Sequence, residues 1–251
     1  MAKLTVYADP ESWVNGVTEY IIELATTAIA ERGRFTFAFS GGSTPRPIYE
    51  RLASSGYSER IDWSRVQVFF GDERCVPPDD PLSNYRMART TLCDHVPIPP
   101  ANIHRIHGEE PPEQAADEYA QELARTFGGD ANKGGSPQDG FDLVLLGMGD
   151  NGHTASLFPG MAAVTESVHW VMAQYIEVVG MWRVTLTPVI LNAAGHAAFL
   201  VKGTAKAEML PKVLEGPYQP VVLPSQIIKP TRGELRWLVD AAAASNLRSV
   251  P

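Results

Sequence analysis

The chain has 251 residues, a formal net charge of −8, and 44% hydrophobic and 20% charged residues. This is ordinary usage for a globular protein, and it excludes disorder, collagen and coiled coil. We expect one domain over residues 1–251, because α/β folds often run to about 250 residues as one unit. The acidic balance, without any run of Lys or Arg, argues against nucleic-acid binding.

Cysteine usage and hydropathy indicate a cytoplasmic protein. Cys75 and Cys93 are too few for a disulfide framework or a zinc site, so we expect two reduced thiols. The first residues lack the apolar core of a signal peptide. The most apolar long stretch, 184–201, contains Pro188 and Asn192 and is a poor membrane span. We therefore expect no membrane association, and we predict no obligatory protein partner.

Short apolar runs alternate with amphipathic stretches along the chain, the pattern of βα units and a parallel sheet. The predicted fold is a doubly wound, mostly parallel α/β sheet flanked by helices. Asp9 and Pro10 offer an N-cap and a first-turn proline for the first helix. The predicted strands are residues 4–7, 35–39, 66–70, 103–106, 141–146, 168–173, 183–186, 197–201 and 235–239. The predicted helices are residues 11–32, a helix after Pro45 through Ile48 and Leu52, 84–92, 113–127, 188–194 and 206–214, and residues 128–140 are predicted to form a surface loop.

Three predicted strands, ending at residues 39, 70 and 146, run into glycine-containing polar loops. Ligands of open parallel sheets bind beyond the carboxyl ends of the strands, so the three loops point to one site. In the first loop, Gly41 and Gly42 allow backbone N–H groups to face a ligand, and Ser43 and Thr44 add hydroxyls. The loop fits a phosphate cradle or a plain strand-to-helix turn, and it lacks the Gly-Lys-Ser/Thr ending of a Walker loop.

The other two loops carry charged or titratable side chains. Residues 71–74 read Gly-Asp-Glu-Arg and form either a solvated turn or part of the site; the consecutive charges, including Arg74, reach opposite sides of the chain. His153 follows the third strand between small residues, where it is either a general base near neutral pH or a structural donor. Arg183 and Lys206, at a predicted strand start and helix start, suit phosphate binding or are solvated surface charges. No His-x-x-x-His pair or Cys/His cluster in the sequence has the spacing of a metal site, and no Gly-x-Ser-x-Gly elbow supports a serine nucleophile.

Together these segments resemble the 6-phosphogluconolactonase family. The matching stretches are Phe-Ser-Gly-Gly-Ser-Thr-Pro at 39–45, Phe-Phe-Gly-Asp-Glu-Arg at 69–74, Ser-Asn-Tyr at 83–85, Leu-Gly-Met-Gly-Asp-Asn-Gly-His-Thr-Ala-Ser-Leu-Phe-Pro-Gly at 146–160, Arg-Val-Thr-Leu-Thr-Pro at 183–188, 202–206, Leu-Pro-Ser-Gln at 223–226 and Trp-Leu-Val-Asp at 237–240. The likeness runs through the chain in order, and the 146–160 block is its most specific part.

The resemblance implies hydrolysis of 6-phospho-D-glucono-1,5-lactone to 6-phosphogluconate, with no metal or organic cofactor, on the fold of glucosamine-6-phosphate deaminases. His153 would be the base that activates water. Residues 40–44, Arg74, Arg183 and Lys206 would bind the phosphosugar. One position departs from the family, which commonly reads Asp-Gly-His where this chain has Asn151. Asn151 can hydrogen-bond to the histidine but brings no charge, so His153 would be a weaker base unless Asp150 or another carboxylate substitutes.

Two other functions stay open. A sugar-phosphate isomerase or deaminase of the same fold typically reads Asp-Glu-Tyr where this chain has residues 72–74. It also carries a glutamate shortly after the histidine, near the position of Phe158 in this chain. A non-catalytic sugar-phosphate sensor is the third candidate. As a transcription regulator it would need a DNA-binding segment, for which the predicted elements leave no room.

Overall fold

The computed structural model describes residues 2–248, which form two sheets and seven α-helices. The strands are β1 (Lys3–Tyr7), β2 (Phe35–Phe39), β3 (Val66–Phe70), β4 (Asp72–Arg74), β5 (Leu143–Gly147), β6 (Val171–Ile176), β7 (Met181–Leu186), β8 (His196–Val201) and β9 (Glu234–Asp240). The helices are α1 (Pro10–Arg32), α2 (Arg46–Ala53), α3 (Asn84–Thr91), α4 (Pro112–Phe127), α5 (Pro188–Leu191), α6 (Met209–Leu214) and α7 (Ala241–Ala244).

The main sheet has six strands in the order β1-β9-β8-β5-β2-β3, and every pair is parallel. This confirms the predicted α/β class. After β2 the chain adds β3 on one side, and β5 later returns to the other side of β2. The strand order therefore reverses at β2, and the crevice beyond the carboxyl ends of β2 and β5 is the expected ligand position.

Local sequence explains where the first elements begin and end. The Asp9 side chain accepts hydrogen bonds from the backbone N–H groups of Glu11 and Ser12 and caps α1, as predicted. Gly33, with φ of 73°, ends the helix in the left-handed conformation that glycine adopts without strain. All five residues of β2 are buried, as an apolar central strand requires.

Two tyrosine hydroxyls fix the carboxyl ends of β2 and β3. Tyr49 accepts from the backbone N–H of Ser40 (3.1 Å) and donates to its carbonyl (3.0 Å). Tyr119 does the same at Phe70, at 2.8 and 3.1 Å. Each hydroxyl satisfies backbone groups that leave the sheet ladder at these strand ends, so both loops start from defined positions.

The second sheet is small and antiparallel, in the order β4-β7-β6, and the sequence did not predict it. Gly71 joins the two sheets, because its N–H donates to Phe39 (3.0 Å) and its carbonyl accepts from Leu186 (2.9 Å). Buried residues of both sheets belong to one hydrophobic cluster.

Three predicted elements were wrong or displaced. Residues 103–106 form no strand: only Ile103 makes a bridge, to Val68, and the Ile106 carbonyl turns to accept from Gly108. The strand predicted at 168–173 lies at Val171–Ile176, because the backbone N–H groups of residues 167–169 donate to the Glu166 carboxylate instead of a neighbouring strand. Residues 204–206 form a 3₁₀ turn with i→i+3 bonds, and the α-helix predicted from residue 206 begins only at Met209.

Other predicted boundaries shift by a few residues. The strand predicted at 141–146 is Leu143–Gly147, and the helix predicted at 188–194 is Pro188–Leu191. Across residues 2–248, none of the helices is long and apolar enough to cross a membrane.

Candidate active site

His153 lies in the loop that follows β5, at the carboxyl end of the strand beside β2, where the strand order reverses. Its ring stacks on Phe158, with centroids 4.0 Å apart and planes 14° from parallel. A Cβ at Gly149 would overlap the imidazole, so glycine is required for the ring to lie over the backbone there. Gly152, with φ of 78°, turns the chain back so that Gly149 N–H donates to the His153 carbonyl at 2.8 Å.

Residues 223–226 pack against this loop and hydrogen-bond to it. Ser225 donates twice to the Gly152 carbonyl, from its backbone N–H and from its hydroxyl, each at 2.9 Å. Leu223 lies against Gly152 as well. The contacts with residues 223–226 hold the histidine loop, and the stacking on Phe158 orients the imidazole.

Asn151 determines which nitrogen of His153 is free. The backbone N–H of His153 donates to Asn151 Oδ1 at 3.2 Å, which identifies that atom as the amide oxygen. His153 Nδ1 lies 2.6 Å from the same oxygen and must therefore carry the proton. The unprotonated nitrogen is Nε2, which makes no hydrogen bond with another residue in the range 2–248 and can accept a proton.

Burial lowers the pKa of His153 below its usual value, because the charged imidazolium is poorly solvated over Phe158. The nearby cations Lys206 and Arg183 also lower this pKa, whereas Asp72 and Asp150 raise it. The imidazole is consequently neutral at pH 7 and available as a base.

Lys206 contacts the histidine loop through an ion pair with Asp150. The position of this lysine depends on Gly203, whose N–H donates to both carboxylate oxygens of Asp240 at 2.9 and 3.1 Å. Asp240 also caps α7 through Ala243. Lys206 is thus presented by a 3₁₀ turn anchored to β9, and not by the N-terminus of an α-helix.

Arg183 on β7 lies directly opposite Arg74 on β4, so their side chains share one face of the small sheet. Two neighbouring guanidinium groups repel unless an anion lies between or beside them. Asp72 is the carboxylate nearest to Arg183, at 3.8 Å, and it also accepts from Ser156 (2.6 Å) and Asn84 (3.1 Å). One carboxylate for two guanidinium groups leaves this face positively charged.

The glycine loop is joined to this cluster through Asn84. Its side-chain N–H donates to the backbone carbonyl of Asp72 at 2.9 Å, and its amide lies so close to Gly41 that a Cβ there would overlap it. Gly42 takes a φ of 85°, which favours glycine. Ser43 is exposed and Thr44 half-buried. The structure thus brings Gly41 beside Asn84, which bonds to Asp72, and residues 42–44 continue from there into α2.

Glu73 points away from the site, as expected for consecutive residues of a strand. Its carboxylate accepts from the backbone N–H groups of Arg74, Asn84 and Tyr85 and from the hydroxyl of Ser83. Burial raises the pKa of Glu73, and the three hydrogen bonds from backbone N–H groups oppose that effect. The residue holds the N-terminus of α3, so it is not an alternative base.

Glu73→Gln is expected to destabilise the fold by about 2–3 kcal/mol. The amide NH₂ group of glutamine would face the buried N–H and O–H donors that bond to the carboxylate in the wild type, and some of them would lose their acceptor. Urea unfolding measures this change. Glu50→Gln makes the same replacement at an exposed position and should leave the midpoint unchanged. Equal stability of the Glu73 variant and the wild type would show that the carboxylate does not hold α3.

Sequence reasoning missed several residues of this cluster: Asn84, Ser156, Gln174, Ser225 and Asp240. Four of them lie in segments that carry the family resemblance. Gln174 lies outside those segments, and a polar residue in a short strand gives no sign that it is buried. Within the part of the chain that the structure describes, no group of three His, Cys, Asp or Glu residues is placed to hold a metal ion.

Comparisons with known proteins identify the family of this chain. A family profile described as glucosamine-6-phosphate isomerases/6-phosphogluconolactonase matches residues 8–237. A 6-phosphogluconolactonase of Synechocystis sp. is 44% identical over 224 residues, which are 89% of each chain. The solved 6-phosphogluconolactonase from Trypanosoma cruzi superposes with a TM-score of 0.85 at 28% identity, covering 99% of this chain and 98% of that one. A monomeric glucosamine-6-phosphate deaminase shares the fold, with a TM-score of 0.79 at 21% identity and coverage of 97% and 99%. The chain therefore belongs to the glucosamine-6-phosphate isomerase/6-phosphogluconolactonase family.

Proposed function

We propose that this protein hydrolyses 6-phospho-D-glucono-1,5-lactone to 6-phospho-D-gluconate, the second step of the oxidative pentose phosphate pathway, without metal or organic cofactor. The observation that carries the proposal is His153, whose Nε2 is free and whose pKa is lowered by burial and by the nearby cations Lys206 and Arg183. The similarity to the Synechocystis 6-phosphogluconolactonase supports the choice of substrate.

A lactone is an activated ester, so its hydrolysis needs a water nucleophile, a base, and donors for the developing oxyanion. His153 Nε2 takes a proton as the water oxygen bonds to C1. The bond between C1 and the ring oxygen then breaks, and the imidazolium returns the proton to that oxygen. Nδ1–H stays bonded to Asn151 throughout, which keeps the ring in place. Backbone N–H groups of the glycine-containing loops are the proposed oxyanion donors.

The cations near His153 are proposed to bind the phosphosugar. Arg74 and Arg183 form a positive face that lacks sufficient carboxylate, and Lys206 can exchange its exposed partner Asp150 for a phosphate. Gly41, Gly42, Ser43 and Thr44 add backbone and hydroxyl donors at the carboxyl end of β2. Binding energy from the remote phosphate would then align C1 with the attacking water.

Phe158 argues against the deaminase or isomerase alternative. Ring opening in such enzymes relies on an acid shortly after the histidine, and in this chain Phe158 packs on the imidazole instead. An apolar ring in this position can neither donate nor accept the proton. The free Nε2 of His153 also argues against a sensor, because a protein that only binds its ligand needs no general base.

The experiment that separates these functions offers three ligands to the pure protein. We expect rapid consumption of 6-phosphogluconolactone, after subtraction of the substantial spontaneous hydrolysis, and no release of ammonia from glucosamine 6-phosphate. Ammonia release would favour the deaminase. Binding of 6-phosphogluconate without turnover of the lactone would favour the sensor.

Asn151→Asp is expected to move the acid limb of the pH–rate profile to higher pH. A carboxylate beside Nδ1–H stabilises the imidazolium and raises the pKa of His153, whereas burial in the present protein lowers it. More enzyme is then protonated and inactive at a given acid pH. Asn132→Asp, on the surface loop, should leave the limb in place. An unchanged limb in the Asn151 variant would mean that this position does not tune the base.

We propose a cytoplasmic enzyme that acts on a small phosphosugar and needs neither nucleic acid nor an obligatory protein partner. The excess of acidic residues, 29 against 21 basic ones, supports the absence of nucleic-acid binding.

A further inference from the structure

Gln174 on β6 lies directly opposite Arg183 on β7, which in turn lies opposite Arg74 on β4. The three side chains therefore form one row across the small sheet, on the face that Asp72 shares. Gln174 is only 7% exposed, and the Arg183 side chain is 13% exposed. A row of polar side chains this deeply buried is costly unless each polar atom finds a partner.

The orientation of the Gln174 amide is fixed. Its Nε2 donates to the backbone carbonyl of Ser156 at 2.5 Å, and a carbonyl can only accept, so the atom at this contact is the nitrogen. Ser156 in turn donates its hydroxyl to Asp72 at 2.6 Å. Gln174 is thereby tied to the segment that carries His153, three residues before Ser156.

Several buried polar atoms of this cluster find no partner within residues 2–248. Among them are Gln174 Oε1, Arg183 Nε, Arg74 Nε, Asn84 Oδ1 and Thr154 Oγ1. Unsatisfied buried groups are rare in folded proteins, and their concentration around one cluster indicates that something else satisfies them.

The chemistry of the row indicates what that partner is. Gln174 Oε1 only accepts hydrogen bonds and Arg183 Nε only donates them. A phosphate dianion could accept from Arg183 but would meet the lone pairs of Gln174 Oε1. A hydroxyl group can donate to Gln174 and accept from Arg183 at the same time.

We propose that Gln174 is a specificity-determining residue that accepts a hydrogen bond from one ring hydroxyl of the phosphosugar, while Arg183 Nε donates to the same hydroxyl. The inference rests on the proposed lactonase function and assigns part of Arg183 to the sugar ring. Because a site built around a hydroxyl leaves its own polar groups unpaired when the hydroxyl is missing, it discriminates strongly against deoxy analogues.

The test compares kcat/KM for 6-phosphogluconolactone with the values for its 2-, 3- and 4-deoxy forms. The wild type should disfavour one of the three by about tenfold to a hundredfold through this contact. Gln174→Met should remove that preference and keep the others. Gln226→Met is the matched control, since Gln226 is 8% exposed but has partners for both amide atoms, and it should keep every preference.

A structural water in place of the hydroxyl gives a different result: Gln174→Met then lowers kcat/KM equally for all four lactones, and the proposal is wrong. Equal wild-type values for all four lactones also contradict it, and that comparison needs no variant to fold. Failure of the proposed function shows separately, as a wild type that does not turn over the parent lactone. In that case, calorimetric affinities for 6-phosphogluconate and its deoxy forms decide whether Gln174 accepts a hydrogen bond from a hydroxyl of the ligand.

Discussion

His153→Ala is expected to lower kcat for 6-phosphogluconolactone by a factor on the order of 10²–10⁴, the usual share of a positioned general base. KM should change little, because the proposed phosphate contacts lie on other residues. His107→Ala removes an exposed histidine outside the candidate site and should keep full activity. Initial rates at several lactone concentrations separate the two parameters.

The pH profile is a second part of this prediction. Burial lowers the pKa of His153, so the wild-type rate should stay high somewhat below the usual histidine range and fall only when the imidazole becomes protonated. The alanine variant should lose that acid limb. Near-normal kcat together with an unchanged limb would remove His153 from the mechanism, and Asp72 would become the next candidate base.

The phosphate group is expected to be required for efficient turnover. Lys206→Ala should lower kcat/KM for 6-phosphogluconolactone by about tenfold to a hundredfold, the effect of losing one hydrogen bond between charged groups. The same substitution should hardly affect unphosphorylated gluconolactone, which should itself be a far poorer substrate of the wild type. Lys212→Ala, at an exposed position on α6, is the matched control.

Comparing both lactones across both lysine variants isolates the phosphate contact. A loss that is equal for the two lactones would place Lys206 in folding or in the chemical step. Equal wild-type kcat/KM for the two lactones would contradict the phosphate contacts altogether, because the remote group would then contribute no binding energy to the transition state.

Much of the main sheet could be predicted because its strands are continuous apolar runs ending in glycine and polar residues. The bounds of β2 and β3 match the prediction to the residue. The carboxyl ends of β5, β2 and β3 are neighbours, as the three loops required. His153 could be found for the same reason, since it follows a buried strand at that edge.

The small sheet shows why the remainder was not predictable. Asp72–Arg74 is a charged tripeptide that reads as a turn, and it becomes a strand only because β7 supplies partners more than a hundred residues later in the chain. The same pairing places Gln174 and Arg183 opposite each other. A local sequence pattern cannot predict how strands so far apart in the chain pair. The burial of Gln174 and the Arg74–Arg183 pair therefore follow only from the structure.

The rate of 6-phosphogluconolactone consumption near neutral pH decides whether the protein hydrolyses the lactone through His153, with an equal concentration of the folded His153→Ala protein as the control. We expect a wild-type rate that is proportional to enzyme concentration and exceeds the rate of the variant by at least about a hundredfold, while the variant stays close to spontaneous hydrolysis. Equal rates for the two proteins, whether fast or at the spontaneous level, would contradict hydrolysis through His153.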